Sequence, residues 1–317
     1  MNIMFFSIPA HGHTNPTIEV VRALTQRGHR VRYYSFEPFR ARIEGAGAEF
    51  IPCDDALPPA PGDLDRRMGR DFSLLMEMVI GVTAQLHPRM EEEMRTFRPD
   101  CIVSDSICIW GKLFAKRFQP FAETFSERYA FVGPSVVPTE RDGMERERPL
   151  VYVSLGTVLN RNQGFYRACI DALREVPCDA VLSVGPDTDV SALGPLPENI
   201  RVYPRVNQME VLSRADAFVT HCGMNSVMES LYMGVPMVLF PQHAEERAVA
   251  NRAAELGAGI LLRHGREKEI RAAVTKLLGE PAYTECAQAL SQDMRCCGGA
   301  EQAADFIEQV IERKPAP

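Results

Sequence analysis

The sequence lacks several features that would place the protein in a membrane, on a nucleic acid or outside the cell. No apolar run reaches membrane-spanning length. The apolar opening MNIMFFSIPAHGH has neither a preceding basic segment nor a small-residue cleavage site, so we expect a buried strand there and not a signal peptide. Lysine and arginine number 35 against 42 aspartate and glutamate, and the resulting net charge of -7 argues against a nucleic-acid partner.

The cysteines form neither a disulfide framework nor a metal-binding pattern. There are nine, an odd number, and none is spaced as CxxC. Cys101 and Cys108 lie in apolar segments, and Cys296 and Cys297 are adjacent. We therefore expect reduced thiols and a cytoplasmic location. A chain of 317 residues is long enough for two hydrophobic cores, and we expect a two-lobed monomer or weak homodimer.

The segment from Phe218 to Gly257 contains two strand-loop-helix units in succession. In the first, the apolar run from Ala217 to Val219 ends at a glycine-containing turn, and apolar residues then recur at helical spacing. Such a junction presents unpaired backbone N–H groups and the positive end of the helix dipole at one place. We therefore predict an anion site, with phosphate as the expected ligand.

Side chains around this turn suit a nucleotide. His221 ends the strand, and Asn225 and Ser226 lie in the first helical turn, so all three can donate hydrogen bonds. Gly223 allows a ligand to approach the backbone closely. Glu229, one turn further along the helix, would repel phosphate but suits a ribose diol. The alternative is that the turn only caps the helix.

The second unit is expected to place two carboxylates beside this turn. Met237 to Phe240 is an apolar strand, and the loop after it carries Glu245 and Glu246. Because the carboxyl ends of parallel strands share one edge of a sheet, this loop should lie next to the first. Two carboxylates there can hold the hydroxyl groups of a sugar; alternatively, they form only a solvated first helical turn.

These two loops resemble the C-terminal signature of the family 1 UDP-glycosyltransferases, and most closely that of the macrolide-type bacterial natural-product glycosyltransferases. The resemblance implies an α/β protein of the GT-B fold, in which two doubly wound Rossmann-like lobes face each other across a cleft and the C-terminal helix returns to the N-terminal lobe. It implies that the diphosphate and ribose are contacted by His221, Asn225, Ser226 and Glu229. It also implies that Glu245 holds hydroxyl groups of the donor sugar. Glu246 stands where that family commonly has Gln, which leaves the identity of the sugar open.

The N-terminal segment is predicted to form a strand-helix-strand unit. We expect a strand from Ile3 to Ile8, a loop from Pro9 to Thr14, and then a helix capped by Asn15 with Pro16 at its first position. His13 would then lie at the carboxyl edge of the sheet, although a histidine in such a loop often has no task. The run GHTNPTIEV resembles the N-terminal motif of the same glycosyltransferases, and this implies that His13 is the catalytic histidine.

Asp105 is expected at the same edge. Cys101 to Val103 is an apolar strand that delivers Asp105 to its carboxyl end, where it either acts in a site or only caps the helix beginning near Ile107. The resemblance implies that this Asp pairs with the catalytic His. A carboxylate that accepts from one ring N–H fixes the tautomer, leaves the other nitrogen as a base and stabilises the imidazolium.

Two further segments are expected to bind the nucleotide. The turn at Gly156 and Thr157 follows a strand, and in the family it approaches the diphosphate with backbone N–H groups. Arg205, Val206 and Gln208 correspond to the base-binding element, in which Arg205 replaces a Trp that stacks on uracil. A guanidinium can also stack on a base, but Arg205 can equally be a solvated loop charge.

No metal site or cofactor is expected. Asp187-Thr188-Asp189 imitates the DxD metal motif of a different glycosyltransferase fold, but it lies among Gly, Pro and Ser in an expected surface loop.

The predicted organisation has four parts. An N-terminal acceptor-binding lobe covers residues 1–137, a linker 138–149, a C-terminal UDP-sugar-binding lobe 150–299, and a helix that crosses to the first lobe 300–317. Residues 54–69, rich in Pro, Gly and charge, are expected to form a surface loop. The helical segment near Phe118 runs directly into residues that close the first lobe in relatives. We therefore expect an internal segment to be missing near 116–119, with a natural deletion as the alternative.

The resemblance implies an inverting glycosyltransferase that moves a sugar, for which we favour glucose, from a UDP-sugar to a hydroxyl of a small hydrophobic acceptor such as a macrolide, a flavonoid or another natural product. His13 would act as general base, and the leaving UDP would be neutralised without a metal. Two alternatives remain, a UDP-sugar epimerase of the same fold and a catalytically silent sugar-nucleotide-binding helper protein. The presence of both His13 and Asp105 argues against the helper, while the GHTNP opening and Glu245 argue against the epimerase.

Overall fold

The computed structural model describes residues 1–56, 72–118, 132–137, 139–143, 146–157 and 160–312. The chain divides into two compact units. The first comprises Met1–Val137 together with Cys297–Pro317, and the second comprises Pro138–Cys296. Within the described residues, no helix is long and apolar enough to cross a membrane.

The first unit is built on a four-stranded parallel sheet. Its strands are β1 (Asn2–Phe6), β2 (Arg30–Ser35), β3 (Glu49–Pro52) and β4 (Cys101–Ser104), in the order β3-β2-β1-β4. The described helices of this unit are α1 (His11–Gln26), α2 (Arg40–Gly45), α3 (Phe72–Thr96), α4 (Ile109–Phe118) and the C-terminal α11 (Gly299–Glu312). The chain leaves β1 for β2 on one side of the sheet and reaches β4 on the other, so a topological switch point lies between β1 and β4.

Aromatic residues of neighbouring strands form the centre of the first core. Phe5 stacks on Tyr33 with ring centroids 5.6 Å apart, and Phe6 stacks on Tyr34 at 4.7 Å. All four side chains are buried. Strands that are apolar on successive residues are typical of a parallel sheet covered on both faces, which is why the sequence of β1 shows no alternation.

The C-terminal helix α11 packs on α1 within the first unit. Ala304 and Ile311 are buried in the first core. Arg27, at the end of α1, forms ion pairs with Glu301 at 2.6 Å and Glu308 at 3.0 Å. Apolar burial and these ion pairs together attach the last helix to the first one.

The predicted start of α1 was wrong. The helix begins at His11 after Ala10 as N-cap, and Pro16 lies inside it and not at its first position. The N–H groups of His13 and Thr14 both donate to the Ala10 carbonyl, so helical hydrogen bonding starts before the proline. The loss of one backbone hydrogen bond at Pro16 is tolerated because the buried face of α1 packs into the core through Ile18, Val21 and Leu24. His13 therefore lies in the first turn of a helix and not in a loop.

Pro88 lies inside α3 and does not divide the helix. Val82, Leu86 and Met90 are fully buried on one face on both sides of the proline. Their packing outweighs the loss of one backbone hydrogen bond.

The second unit is built on a six-stranded parallel sheet. Its strands are β5 (Leu150–Ser154), β6 (Asp179–Ser183), β7 (Ile200–Tyr203), β8 (Ala217–Thr220), β9 (Met237–Leu239) and β10 (Gly259–Leu261), in the order β10-β9-β8-β5-β6-β7. Its helices are α5 (Gln163–Arg174), α6 (Gln208–Leu212), α7 (Met224–Tyr232), α8 (Ala244–Glu255), α9 (Glu267–Gly279) and α10 (Pro281–Cys296). This strand order is that of a doubly wound dinucleotide-binding sheet, with its switch point between β5 and β8.

Several predicted segments lie partly or wholly outside the described residues. These are the surface loop beyond Ala56, the junction after Phe118, and Pro138 and residues 144–145 of the linker. The described part of the linker is held to the second unit by hydrogen bonds: Arg141 donates to the carbonyls of Met233 and Ala215.

Candidate active site

His13 and Asp105 meet at the switch point of the first sheet. β1 and β4 pair in parallel with Phe6 opposite Ser104, and the N–H of Asp105 donates to the Phe6 carbonyl at 2.9 Å. His13 enters from the first turn of α1. Its Nδ1 lies 2.9 Å from Asp105 Oδ2, and the side chains are 29% and 12% exposed, so the pair is reachable but only partly solvated. His11, the other histidine of this segment, packs edge-on against Phe39.

The Asp105 carboxylate is held in a fixed orientation. Its Oδ1 accepts the N–H of Ile107 at 2.9 Å, which leaves Oδ2 for His13. Burial raises the pKa of the Asp105 carboxyl, but the hydrogen bonds from His13 and from the Ile107 N–H outweigh burial, so its pKa lies below the usual value. An ionised Asp105 accepts a hydrogen bond from Nδ1–H, which leaves Nε2 of His13 unprotonated and on the side of the ring that faces away from Asp105. The Ile107 N–H lies two residues before α4 begins at Ile109, so Asp105 closes the turn before that helix and does not cap the helix itself.

His221 lies at the switch point of the second sheet, packed between two glycines. Ser154 of β5 pairs with Thr220 of β8, so the turns that follow these strands are neighbours. A Cβ on Gly156 would lie 2.5 Å from Cε1 of His221, and a Cβ on Gly223 would lie 2.5 Å from its Nε2. Gly156 also has φ of +76°, a left-handed conformation that favours glycine. Both glycines are therefore required by the packing of the imidazole, a reason that the sequence did not reveal.

His221 is held neutral. Burial lowers its pKa to about 4, the Ser154 carbonyl opposes this in part, and the neighbouring His243 lowers it further. Its buried Nδ1 has no well-formed hydrogen bond to any described residue. A neutral imidazole offers one N–H, so at neutral pH the hydrogen bond that His221 can give to a phosphate comes from an uncharged donor.

The N-terminus of α7 follows His221 directly. Cys222 has φ of +70°, and this left-handed residue turns the chain so that the helix starts at Met224, with Gly223 as N-cap and no side-chain cap. The N–H groups of the first helical turn lack intrahelical acceptors, and the dipole adds positive potential there. Asn225 and Ser226 lie in this turn, as predicted from the spacing, and Ser226 is largely buried.

Gln208 connects the start of α6 to Ser226 and Glu229 of α7. Its Nε2 donates to Glu229 Oε2 at 2.6 Å and to Ser226 Oγ at 3.2 Å. Its Oε1 accepts from the Tyr152 hydroxyl at 3.2 Å. Burial raises the pKa of Tyr152 to about 12, so this phenol remains a donor at neutral pH. Tyr152 was missed because a tyrosine inside an apolar strand looks like a core residue.

The other positions that the sequence assigned to base binding are more open. Arg205 is exposed and Val206 is half-buried. Asn207 occupies the N-cap of α6, where its side chain accepts from the N–H of Glu210 at 3.4 Å. This helix was not predicted, although Asn followed three residues later by Glu is a recognisable start signal.

Glu245 and Glu246 lie in the first turn of α8 and differ in environment. Glu245 is exposed. Glu246 Oε2 accepts the N–H groups of Gln242 at 2.7 Å and His243 at 3.2 Å, while its Oε1 lies 4.0 Å from His221 Nε2. Burial raises the pKa of the Glu246 carboxyl, and these N–H groups oppose that in part. Glu246 thus closes the loop beside His221, a structural task that the sequence did not assign to it.

The acidic motif at Asp187 to Asp189 has local partners. Asp187 pairs with Arg161 at 2.6 Å, and Asp189 accepts from the N–H of Ser191 at 2.9 Å. Among the residues that the structure describes, no group of three or more His, Cys, Asp or Glu side chains could hold a metal ion.

Thr157 follows Gly156 in the turn after β5, and its side chain is exposed.

Comparison with known proteins gives three consistent similarities. Residues 167–308 match the family model of the erythromycin biosynthesis protein CIII-like C-terminal domain. The chain is 31% identical to the NDP-glycosyltransferase YjiC of Bacillus licheniformis over 98% of each chain, and 30% identical to the NDP-glycosyltransferase YjiC of Bacillus subtilis over 100% of this chain and 99% of the relative. The structure resembles that of CalG4, the calicheamicin glycosyltransferase, with a TM-score of 0.80 and 26% identity over 99% of each chain.

The alignment with the Bacillus licheniformis protein extends over 388 positions, more than the 317 residues of this chain. Part of that relative therefore has no counterpart here.

Proposed function

The chain belongs to the family 1 glycosyltransferases of the bacterial natural-product type, and from this membership we propose that it transfers a sugar from a UDP-sugar to a hydroxyl group of a small hydrophobic acceptor. Its fold class is GT-B. Glucose is the sugar that we favour, and a macrolide, a flavonoid or a similar natural product is the acceptor class. The observation that carries the proposal is the His13 and Asp105 pair at the switch point of the first sheet.

In this mechanism His13 is the general base. Its Nε2 takes the proton of the acceptor hydroxyl while that oxygen forms a bond to the anomeric carbon of the sugar. The bond from the anomeric carbon to the β-phosphate oxygen breaks, and its electron pair leaves with UDP. Asp105 stabilises the imidazolium through the 2.9 Å hydrogen bond to Nδ1. Attack from the side opposite the leaving group inverts the anomeric centre.

The donor is bound at the edge of the second sheet. The backbone N–H groups of Thr157 and of the first turn of α7 face growing charge on the diphosphate, with His221 and Ser226 as side-chain donors. The N–H of Gly156 donates to Ser154 Oγ at 3.2 Å and so supports the turn from within. Glu229 accepts from the ribose hydroxyls. Arg205 stacks on the uracil, and Val206 lies beside it. Glu245 holds hydroxyl groups of the sugar, whereas the hydrogen bonds of Glu246 to its own loop favour a role in shaping that pocket.

No metal ion takes part in this proposal. Helix N-terminal and backbone N–H groups suit bare phosphate oxygens, and the acidic motif residues Asp187 and Asp189 are engaged with Arg161 and Ser191.

The experiment is mass spectrometry of products from a panel of UDP-sugars and dTDP-sugars offered with hydroxylated macrolides and phenols. We expect a product heavier than the acceptor by one sugar residue, formed with release of nucleoside diphosphate. Conversion of the UDP-sugar to an isomer without acceptor would identify an epimerase instead. Binding of UDP with no conversion of any donor and acceptor pair would support the helper protein.

A further inference from the structure

The loops that follow β5, β6, β7 and β8 pack against one another along the carboxyl edge of the second sheet. The N–H of Gly185, after β6, donates to the Pro204 carbonyl, after β7, at 3.1 Å. Gly185 lies against the amide of Asn160, since a Cβ there would be 2.4 Å from Asn160 Nδ2. Asn160 in turn donates to the Gly156 carbonyl at 3.1 Å, and Gly156 lies against His221. Asn160 is therefore the side chain that connects the turn after β5 to the loops on its far side.

Asn160 is a buried polar residue, 5% exposed, and no role in the reaction has been given to it so far. A buried amide is stable only where its hydrogen bonds are made, and here its donor is used by the Gly156 carbonyl. The two glycines that it touches, Gly156 and Gly185, have φ of +76° and +85°. Both turns are therefore shaped around this one side chain.

The hydrogen bond from Asn160 sets the direction of a backbone N–H. The Gly156 carbonyl and the Thr157 N–H belong to the same planar trans peptide, in which C=O and N–H point in opposite directions. Holding the carbonyl toward Asn160 therefore points the Thr157 N–H away from it. The His221 ring restrains the same turn, because it occupies the space that a Cβ on Gly156 would fill.

We propose that Asn160 is a positioning residue for the donor diphosphate: it orients the peptide between Gly156 and Thr157 so that the Thr157 N–H faces the phosphate position beside His221. The inference rests on the proposed function, because it requires a nucleoside diphosphate at this edge. Asn160 acts through the backbone and makes no contact with the nucleotide.

The test replaces Asn160 by aspartate, which has the same shape but cannot donate. A carboxylate oxygen facing the Gly156 carbonyl repels it and releases the turn. We expect the affinity for UDP, measured by titration calorimetry, to fall about tenfold to a hundredfold. The affinity for uridine, measured by NMR titration, should stay within about twofold of the parent value, because uridine has no phosphate.

Asn162→Asp is a matched control two residues away. It makes the same substitution and adds the same charge, but Asn162 is the N-cap of α5, and its Oδ1 accepts the N–H of Phe165 at 3.1 Å. Aspartate preserves an acceptor there. UDP affinity of this variant should therefore stay within about twofold of the parent. Asn160→Ala removes the donor without adding charge, and it replaces Asn160→Asp in the comparison if the carboxylate prevents folding.

Three results would overturn the inference. One is a parent-like UDP affinity in Asn160→Asp and Asn160→Ala. Another is an equal loss for UDP and uridine, which would indicate general damage to the lobe. The third is an equal loss in the Asn160 and Asn162 variants, which would indicate added charge alone. A parent protein that binds neither UDP nor dTDP would instead refute the proposed function itself.

Discussion

Asp105→Asn should reverse the tautomer of His13. In the parent, Asp105 Oδ1 accepts the Ile107 N–H and Oδ2 faces His13 Nδ1. An asparagine must put its oxygen at the Ile107 N–H, because an NH₂ group cannot accept, and its NH₂ then faces Nδ1. Nδ1 becomes the acceptor and the ring proton moves to Nε2. His13 is then unable to take a proton from an acceptor hydroxyl with that nitrogen.

The expected size of the effect follows from the distance. Two unit charges 2.9 Å apart, the separation of His13 Nδ1 and Asp105 Oδ2, attract by about 6 kcal/mol at an effective dielectric constant of about 20. Because the His13 side chain is 29% exposed, solvent weakens this attraction, and we expect about 3 to 5 kcal/mol of lost transition-state stabilisation. This corresponds to a fall in kcat of about two to four orders of magnitude.

The assay is the initial rate of UDP release with saturating donor and acceptor across the pH range, together with UDP affinity by calorimetry. Asp100→Asn is the control, because it removes a carboxylate at the other end of β4. Asp100 accepts the N–H of Asn2 at 2.8 Å, and the amide oxygen of an asparagine can still accept this hydrogen bond. Asp105→Asn should bind UDP like the parent. A rate within about threefold of the parent with an unaltered pH profile would remove Asp105 from the mechanism.

The remaining predictions concern the donor lobe. Between pH 7 and pH 5 the unfolded chain protonates His221, whereas the folded chain, with a His221 pKa of about 4, does not. In urea titrations the parent should therefore lose about 2 kcal/mol of unfolding free energy over this range, and His221→Gln should not show that loss. An equal dependence of unfolding free energy on pH in both proteins would contradict this. Glu229→Ala should abolish a preference of about tenfold for UDP over 2′-deoxy-UDP in calorimetry, and a preserved preference would exclude Glu229 as the ribose acceptor. EDTA should change UDP affinity of the parent by less than about twofold, and a tenfold loss would require Asp187 and Asp189 to be reconsidered.

The parts of the fold that the sequence predicted are those governed by local periodicity. Buried parallel strands appear as short apolar runs, and residues directly after them, such as Asp105 and His221, must lie at the carboxyl edge of a sheet. The strand order β10-β9-β8-β5-β6-β7 of the second sheet depends on the whole chain, but each strand end can be located from a few residues. For this reason the two clusters of candidate residues could be proposed without coordinates.

Other features depend on contacts between distant residues and carry little local signal. The start of α1 was misplaced because Pro16 is a strong start signal, whereas the true start has Ala10 as N-cap with no side-chain bond. Glu246 resembles a solvated helical residue until its hydrogen bonds to Gln242 and His243 are seen. Asn160 is one polar residue in a loop, and only the structure reveals its hydrogen bond to Gly156.

The most direct test of the central claim is acceptor-dependent UDP release by the parent and by His13→Ala, measured at saturating UDP-sugar beside UDP affinity. We expect the parent to release UDP at an appreciable rate only when acceptor is present. His13→Ala should bind UDP within about twofold of the parent and yet release it, with acceptor, at a rate lower by at least about two orders of magnitude. Acceptor-dependent release by His13→Ala at a rate close to that of the parent would contradict the assignment of His13 as the base.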